Sequence, residues 1–237
     1  GQECRIALTD ITERKRAERR QRQNTRRIEL LLELHQRAPA LSERELYDYA
    51  LDKVVELTDS AIGFLHRVSE DQQSILLTTW NREALKACTA AFDTHYPLRE
   101  AGNWVDCVRQ QRPVVYNDFV HSPNQHGFPP GNSPVHRFMS VPVVEGGKVR
   151  IIFGVGNKPV DYEDDDVAQL QLVANELHSL LVRRAAEVRL NLKALLLNQI
   201  SDTVAATDLE GRITYVNDAT VRVLQRSREE LLGQPVA

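Results

Sequence analysis

Residues 140–166 read SVPVVEGGKVRIIFGVGNKPVDYEDDD, and this run decides the fold. Two apolar stretches, FMSVPVV at 138–144 and KVRIIFGVGN at 148–157, flank Glu145-Gly146-Gly147. Paired glycines reach positive φ without strain, so the three residues predict a tight hairpin turn. The second stretch is apolar at almost every position, as expected of a strand in the middle of a sheet with both faces covered. After the hairpin, a pattern without Pro or Gly runs from about Glu163 to Gln199, opening on Asp164, Asp165 and Asp166. Acidic residues suit the positive end of a helix dipole, so a long helix is expected to follow the central strand.

Upstream, Pro39 closes a helical stretch, and Ser42-Glu43-Arg44-Glu45 reads as a capping box that starts another. That second helix places Leu46, Ala50, Val54 and Leu57 on one face. AIGFLHRVS (61–69) and SILLTTW (74–80), separated by polar EDQQ, predict paired strands. A short helix is expected from Arg82 to Ala91, another from Trp104 to Gln111, and a strand at PVVYN (113–117). The segment Asp118–His136, rich in Pro, Gly, Asn and Ser, predicts a long irregular loop, and loops of that length commonly form lids or binding segments.

The long helix carries two stripes. Leu170, Val173, Leu177 and Leu180 recur at steps of three and four and suit packing on the sheet. Leu181, Ala185, Val188, Leu192 and Leu195 follow the a/d spacing of a two-stranded coiled coil, shifted by one position; one wide amphipathic face is the alternative. Beyond it, TVAATDLEGRITYVND (203–218) predicts strand, Asp-Leu-Glu-Gly turn and strand, then a helix to the end of the sequence.

With 237 residues, 42% hydrophobic and 27% charged, and a net charge of −3, the composition is that of a soluble globular protein. No run of eighteen apolar residues predicts a membrane span, and no secretory signal opens the sequence, which begins as though cut from something longer. Three cysteines, 84 and 19 residues apart, give neither a disulfide framework nor short metal-ligand pairs, so a reducing cytoplasm is expected. Residues 13–29 carry eight basic and three acidic side chains. No aromatics interleave them, so a solvated or coiled-coil helix is expected and not a nucleic-acid surface.

Three segments resemble known families. TDLEGRITYVNDATVRVLQRSREELLGQPV (207–236) resembles the first half of a PAS domain, whose opening hairpin carries Asp-x-x-Gly-x-Ile followed by Asn, here Asp208, Gly211, Ile213 and Asn217. LTDITERKRAE (8–18) resembles the last strand of another PAS domain and its exit helix. Residues from about Arg37 to Ala185 resemble a GAF domain in the order of their elements and in the run quoted above. The implied class is α/β of the α+β kind: a central antiparallel sheet with helices on its faces, long flanking signalling helices and a partial PAS hairpin. The implied layout is the end of a PAS domain at 1–11, a linker helix at 12–38, GAF at 39–180, a coiled-coil linker at 181–198 and the start of a PAS domain at 199–237.

The resemblance implies a slice of a multidomain sensor, of the histidine-kinase or diguanylate-cyclase type, whose output domain lies elsewhere. No phosphoacceptor box, nucleotide-binding glycine motif or cyclase signature is legible, so no catalytic residue is assigned here. Cyclic-nucleotide-binding GAF domains often carry Asn-Lys, a spacer, Phe, three residues, then Asp-Glu. Here Asn157, Lys158 and Asp166 match, Tyr162 replaces Phe and Val167 departs. A clasp between Lys158 and Asp166, across the strand end and the helix start, is expected first.

GAF pockets lie between the sheet and the helices and loops covering one face. The resemblance therefore gathers Trp80, Cys88, His95, Tyr96, Trp104, Cys107 and the 118–136 loop around one cavity, and adds Arg137 and Ser140 to the ligand-binding set. Trp104 and Cys107, three apart on a short helix, also read as core. For zinc the set would be Cys88, His95, Cys107 and His121 or His126, but the spacing argues against a metal. Some GAF sensors attach haem or bilin through cysteine, and Cys88 with His95 could serve, although Thr89 stands where phytochrome-type domains place His. Thiol redox sensing stays open for Cys88 and Cys107, whereas the methionine-sulfoxide reduction of certain free-standing GAF proteins is not expected of cysteines so scattered, in a domain set between PAS fragments. The expected partners are a small molecule, a second copy through the flanking helices, and the adjacent PAS and output domains. The alternative is a ligand-free dimerisation spacer.

Overall fold

The computed structural model describes residues 12–85, 95–123 and 134–236. Two compact units meet between Leu180 and Leu181 in the chain. In the first unit, helices α1 (Thr12–Arg37) and α2 (Glu43–Leu57) precede strands β1 (Ile62–Val68) and β2 (Ser74–Trp80). Then come α3 (Arg82–Leu85), β3 (His95–Pro97), a 3-10 turn at Asn103–Val105, α4 (Asp106–Gln110), β4 (Val114–Tyr116), β5 (Phe138–Glu145) and β6 (Lys148–Gly156). Helix α5 (Asp164–Gln199) runs past the division.

The six strands form one antiparallel sheet in the order β3-β2-β1-β6-β5-β4. β6 lies between β1 and β5, which explains its apolar run at 151–156: both of its edges are hydrogen-bonded and both faces are covered. The β5–β6 hairpin turns on Gly146 and Gly147, at φ +58° and +74°, a reversal that suits the twist of the strands it joins.

One face of the sheet is covered by helices. α2 begins at the Ser42 capping box, whose backbone N–H donates to Glu45 Oε2 at 2.8 Å while Ser42 Oγ accepts from the Glu45 N–H at 3.3 Å. Its buried side, Leu46, Ala50, Leu51 and Val54, lies directly on β1, since a Cβ at Gly63 would stand 2.6 Å from Val55. α5 buries Leu170, Val173, Ala174 and Leu177, and its Gln171 amide donates to the Pro142 carbonyl at 2.9 Å. Burying each such aliphatic side chain stabilises the fold by roughly 2 kcal/mol. α1 lies along α5, joined to it by Gln169 donating to Asn24 at 3.3 Å and by His35 beside Glu176 at 3.2 Å.

Two elements differ from the sequence reading. His95–Pro97, read as loop, is an edge strand paired with Ser74–Leu76; three residues ending in Pro give no period-2 pattern to recognise. The helix expected at 82–91 is described only as Arg82–Leu85, and its remainder, with Cys88, lies outside the described residues. The expected PAS strand at 1–11 and residues 124–133 of the long loop, with His126, also lie outside them.

In the second unit, β7 (Ala205–Thr207) and β8 (Ile213–Val216) form a hairpin. Asp208 closes its turn by accepting from the Arg212 N–H at 2.7 Å and the Glu210 N–H at 3.1 Å, while Gly211 takes φ +76°. Asn217 is fully buried. Its Oδ1 accepts from the Val204 and Thr220 N–H groups, both at 3.0 Å, and its Nδ2 donates to the Leu197 carbonyl at 3.1 Å and the Asp202 carbonyl at 2.9 Å. These bonds explain why Asp, Gly and Asn stand at those positions. The single helix expected after Asn217 is two: α6 (Asp218–Leu224) stops at Gln225, φ +52°, and a second capping box at Ser227 and Glu230 starts α7 (Arg228–Leu231). Among the described residues, no helix is long and apolar enough to cross a membrane.

Candidate functional site

The face of the sheet away from α2 and α5 carries a layer of rings. Period-2 alternation turns Phe64 and His66 of β1 to this side, and Phe138 joins them from β5. Phe64 stacks on His66 at 4.7 Å and 20° and lies against Phe138 at 6.0 Å and 14°. Trp80 meets His66 edge-on at 4.7 Å, and Trp104, on the 3-10 turn, meets Phe64 edge-on at 5.8 Å. Gly154, opposite Phe64 in β6, makes this possible: a Cβ there would lie 2.5 Å from the Phe64 ring.

His66 sits at the centre of the layer, 1% exposed. Its Nδ1 accepts from the Thr78 N–H at 3.1 Å, so the neutral ring carries its proton on Nε2. Burial pulls its pKa down to about 3, holding it neutral at any physiological pH. By residue type His66 reads as an ordinary outward-facing polar residue of a strand. The one legible signal was its place between Phe64 and Val68 on the same side of an apolar strand.

The residues expected at the site separate into three groups. Trp80, Tyr96 and Trp104 come together, Tyr96 meeting Trp104 edge-on at 6.0 Å; Cys107 and Ser140 lie in the same region and are fully buried. Burial pushes the Cys107 thiol up to about 12, an inert state, with a hydrogen bond from the Ser140 hydroxyl acting in the other direction. His95 and Arg137 stand apart. Alternation on β3 turns Tyr96 inward and His95 outward, where Nδ1 of the exposed His95 lies 3.2 Å from Ser74 Oγ. Arg137 pairs with Asp161 at 2.9 Å, at the sheet's end. Cys88 lies outside the described residues.

The same separation bears on a metal or tetrapyrrole. Cys107 is buried, whereas His95 is exposed and His121 is exposed and paired with Asp118 at 2.8 Å. Among the described residues no three His, Cys, Asp or Glu side chains stand close enough to hold a metal ion. Cys88, the expected attachment point for a haem or bilin, lies outside the described residues, and the buried thiol of Cys107 does not suit covalent attachment.

At the rim, Tyr116 donates to Asp106 Oδ2 at 2.6 Å and Arg109 donates to Asp106 Oδ1 at 2.8 Å. Arg109 also donates to the carbonyls of Gly102 at 2.7 Å and Leu98 at 3.0 Å, stitching the segment before α4 into place. At the far end of β6, Lys158 Nζ lies 2.5 Å from Asp166 Oδ2, and both side chains are 3% exposed. Asp166 also accepts from the Glu163 N–H at 2.9 Å, and Tyr162 covers the ammonium at 5.6 Å. The Asn157 and Asn117 side chains fix the adjoining loops: Asn157 accepts from the His136 N–H at 2.8 Å, and Asn117 accepts from the Tyr162 N–H at 2.8 Å.

The GAF domain model matches residues 40–181, and the PAS fold model matches residues 191–237. The methyl sulfide methyltransferase-associated sensor of Methanosarcina acetivorans is 34% identical over 180 residues, 75% of this chain and 18% of that protein. The sensor protein kinase WalK of Staphylococcus haemolyticus is 31% identical over 74 residues, 30% of this chain and 12% of that protein. The chain thus spans under a fifth of the length of either relative. The GAF domain from an Acinetobacter phosphoenolpyruvate-protein phosphotransferase superposes with a TM-score of 0.55 at 18% identity, covering 67% of this chain and 94% of that one, a likeness of fold alone. With more than half of its length matched, the chain belongs to the GAF-domain family, and with its PAS-fold match at residues 191–237 it is a GAF/PAS sensor domain protein.

Proposed function

We propose that this chain is a regulatory module that takes a small ligand on the ring-lined face of its GAF sheet and passes the change along α5 toward an output domain elsewhere in the parent protein. One observation carries this reading: β6 links the two faces. At Gly154 it lies under Phe64, and just past its end Lys158 is locked to Asp166 in the first turn of α5. A ligand that shifts Phe64 presses on the strand whose end holds the helix. Differential affinity for two packings of α5 is then sufficient for signalling.

Past Leu180, Val188, Leu192 and Leu195 of α5 are exposed in the single chain while keeping a/d spacing. A second copy supplies their partner in this scheme, so occupancy changes helix pairing in a cytoplasmic homodimer. The test combines native mass spectrometry of the purified chain with amide exchange across α5. A ligand that leaves both dimer affinity and α5 exchange unchanged rules out the relay.

A second reading is favoured by one feature. Trp80, Trp104 and Phe138 are each buried in the single chain and packed on one another's neighbours, as in a filled core. A ligand-free dimerisation spacer would look the same. It predicts that Trp104→Ala lowers stability and leaves every ligand response absent, whereas the sensory module predicts a specific loss of binding.

A further inference from the structure

Among the described residues the buried Asn103 Oδ1 in the ring-lined region has no hydrogen-bond partner, and Ser140 Oγ has only the weakly bonding Cys107 thiol beside it. Asn103 is 1% exposed and Ser140 0%. Native proteins rarely leave such atoms unpaired, because removing them from water without a replacement bond is unfavourable. Asn103 lies on the 3-10 turn that carries Trp104, and this turn packs against β5, the strand of Ser140 and Phe138.

The amide orientation of Asn103 follows from its neighbours. Ser122 Oγ gives its proton to the Phe119 carbonyl at 2.7 Å, so toward Asn103 it can only accept. Asn103 Nδ2 donates to it at 2.7 Å, which leaves Oδ1 as the unused acceptor. His66 is neutral, and the Asp106 carboxylate at the rim is engaged by Tyr116 and Arg109. A formal charge on a ligand would find no unengaged counter-ion among these described residues, whereas a flat ring would find Phe64, Trp80, Trp104 and Phe138 to stack on.

From this juxtaposition we infer that the site selects a neutral, planar ring bearing an N–H or O–H donor, received by Asn103 Oδ1 with Ser140 Oγ as a second polar contact. The inference rests on the sensory reading of this face and sharpens it to a ligand class.

Indole and benzofuran test it, since they share shape and only indole carries the N–H. Titration calorimetry on the whole chain is expected to show indole binding about tenfold tighter than benzofuran. In Asn103→Leu the preference disappears while benzofuran affinity holds, and in Ser140→Ala, a milder change, indole weakens by about threefold. Near-UV circular dichroism checks that both variants keep their packed rings. Equal affinities in the unaltered chain, an indole preference that survives Asn103→Leu, or no binding of either probe would each overturn the inference. Tighter binding of indole-3-carboxylate than of indole would also overturn it while leaving the sensory function standing.

Discussion

Lys158 Nζ stands 2.5 Å from Asp166 Oδ2, a buried ion pair that fastens the end of the central strand to the first turn of the longest helix. Because Asp166 also accepts from the Glu163 N–H, its carboxylate serves both the lysine and the helix start. Asp166→Asn leaves a buried ammonium without its counter-charge and should cost about 3–5 kcal/mol in urea unfolding. Replacing both partners, Lys158→Met with Asp166→Leu, should cost less than Asp166→Asn alone, which identifies the penalty as the stranded charge.

His66 makes stability depend on pH. Burial depresses its folded pKa to about 3, below the ordinary value of 6.5, so between those values the unfolded chain binds a proton that the folded chain does not. The contribution is fully present above pH 6.5 and is lost as pH falls toward 3, by up to about 1.4 kcal/mol per unit. Unfolding free energies measured from pH 7 to pH 4 should show this slope. In His66→Gln, which keeps an acceptor for the Thr78 N–H, the slope should fall by close to one proton's worth.

Gly154 is required by the ring above it. Gly154→Ala would place a methyl 2.5 Å from Phe64 and drive that ring off His66 and Phe138. Overpacking of this kind costs about 1–3 kcal/mol. The near-UV circular dichroism of the aromatic layer should weaken, and Phe64→Leu in the same chain should relieve part of the loss.

Cys107 should be chemically silent. With its thiol pushed up to about 12 by burial, it should resist Ellman's reagent in the native protein and react at once in urea. Cys4→Ser with Cys88→Ser isolates its signal. Fast native labelling would show that the α4 segment opens away from the sheet.

Much of this architecture was legible because local chemistry and tertiary packing agree. The Gly146-Gly147 reversal, the capping box at Ser42 and the buried stripe of Leu170, Val173 and Leu177 each have one physical cause, and each stands in the structure where the sequence implied. β3 was missed because an edge strand of three residues depends on its neighbour, not on its own pattern. The site was only partly legible for a related reason. Trp80, Tyr96 and Trp104 announce themselves by residue type, but whether His95 or His66 shares their layer depends on strand register, and one residue of alternation sends His95 outward. The unpaired Asn103 Oδ1 has no sequence signature, since pairing is a property of surroundings.

Amide exchange, read with and without saturating indole, follows the coupling from the ring-lined sheet to the helix. The account predicts slowed exchange in two places at once: the β5–β6 hairpin, 138–156, and the first turns of α5, 164–180, joined through Lys158 and Asp166. Protection confined to 138–156, with α5 unchanged, would contradict it.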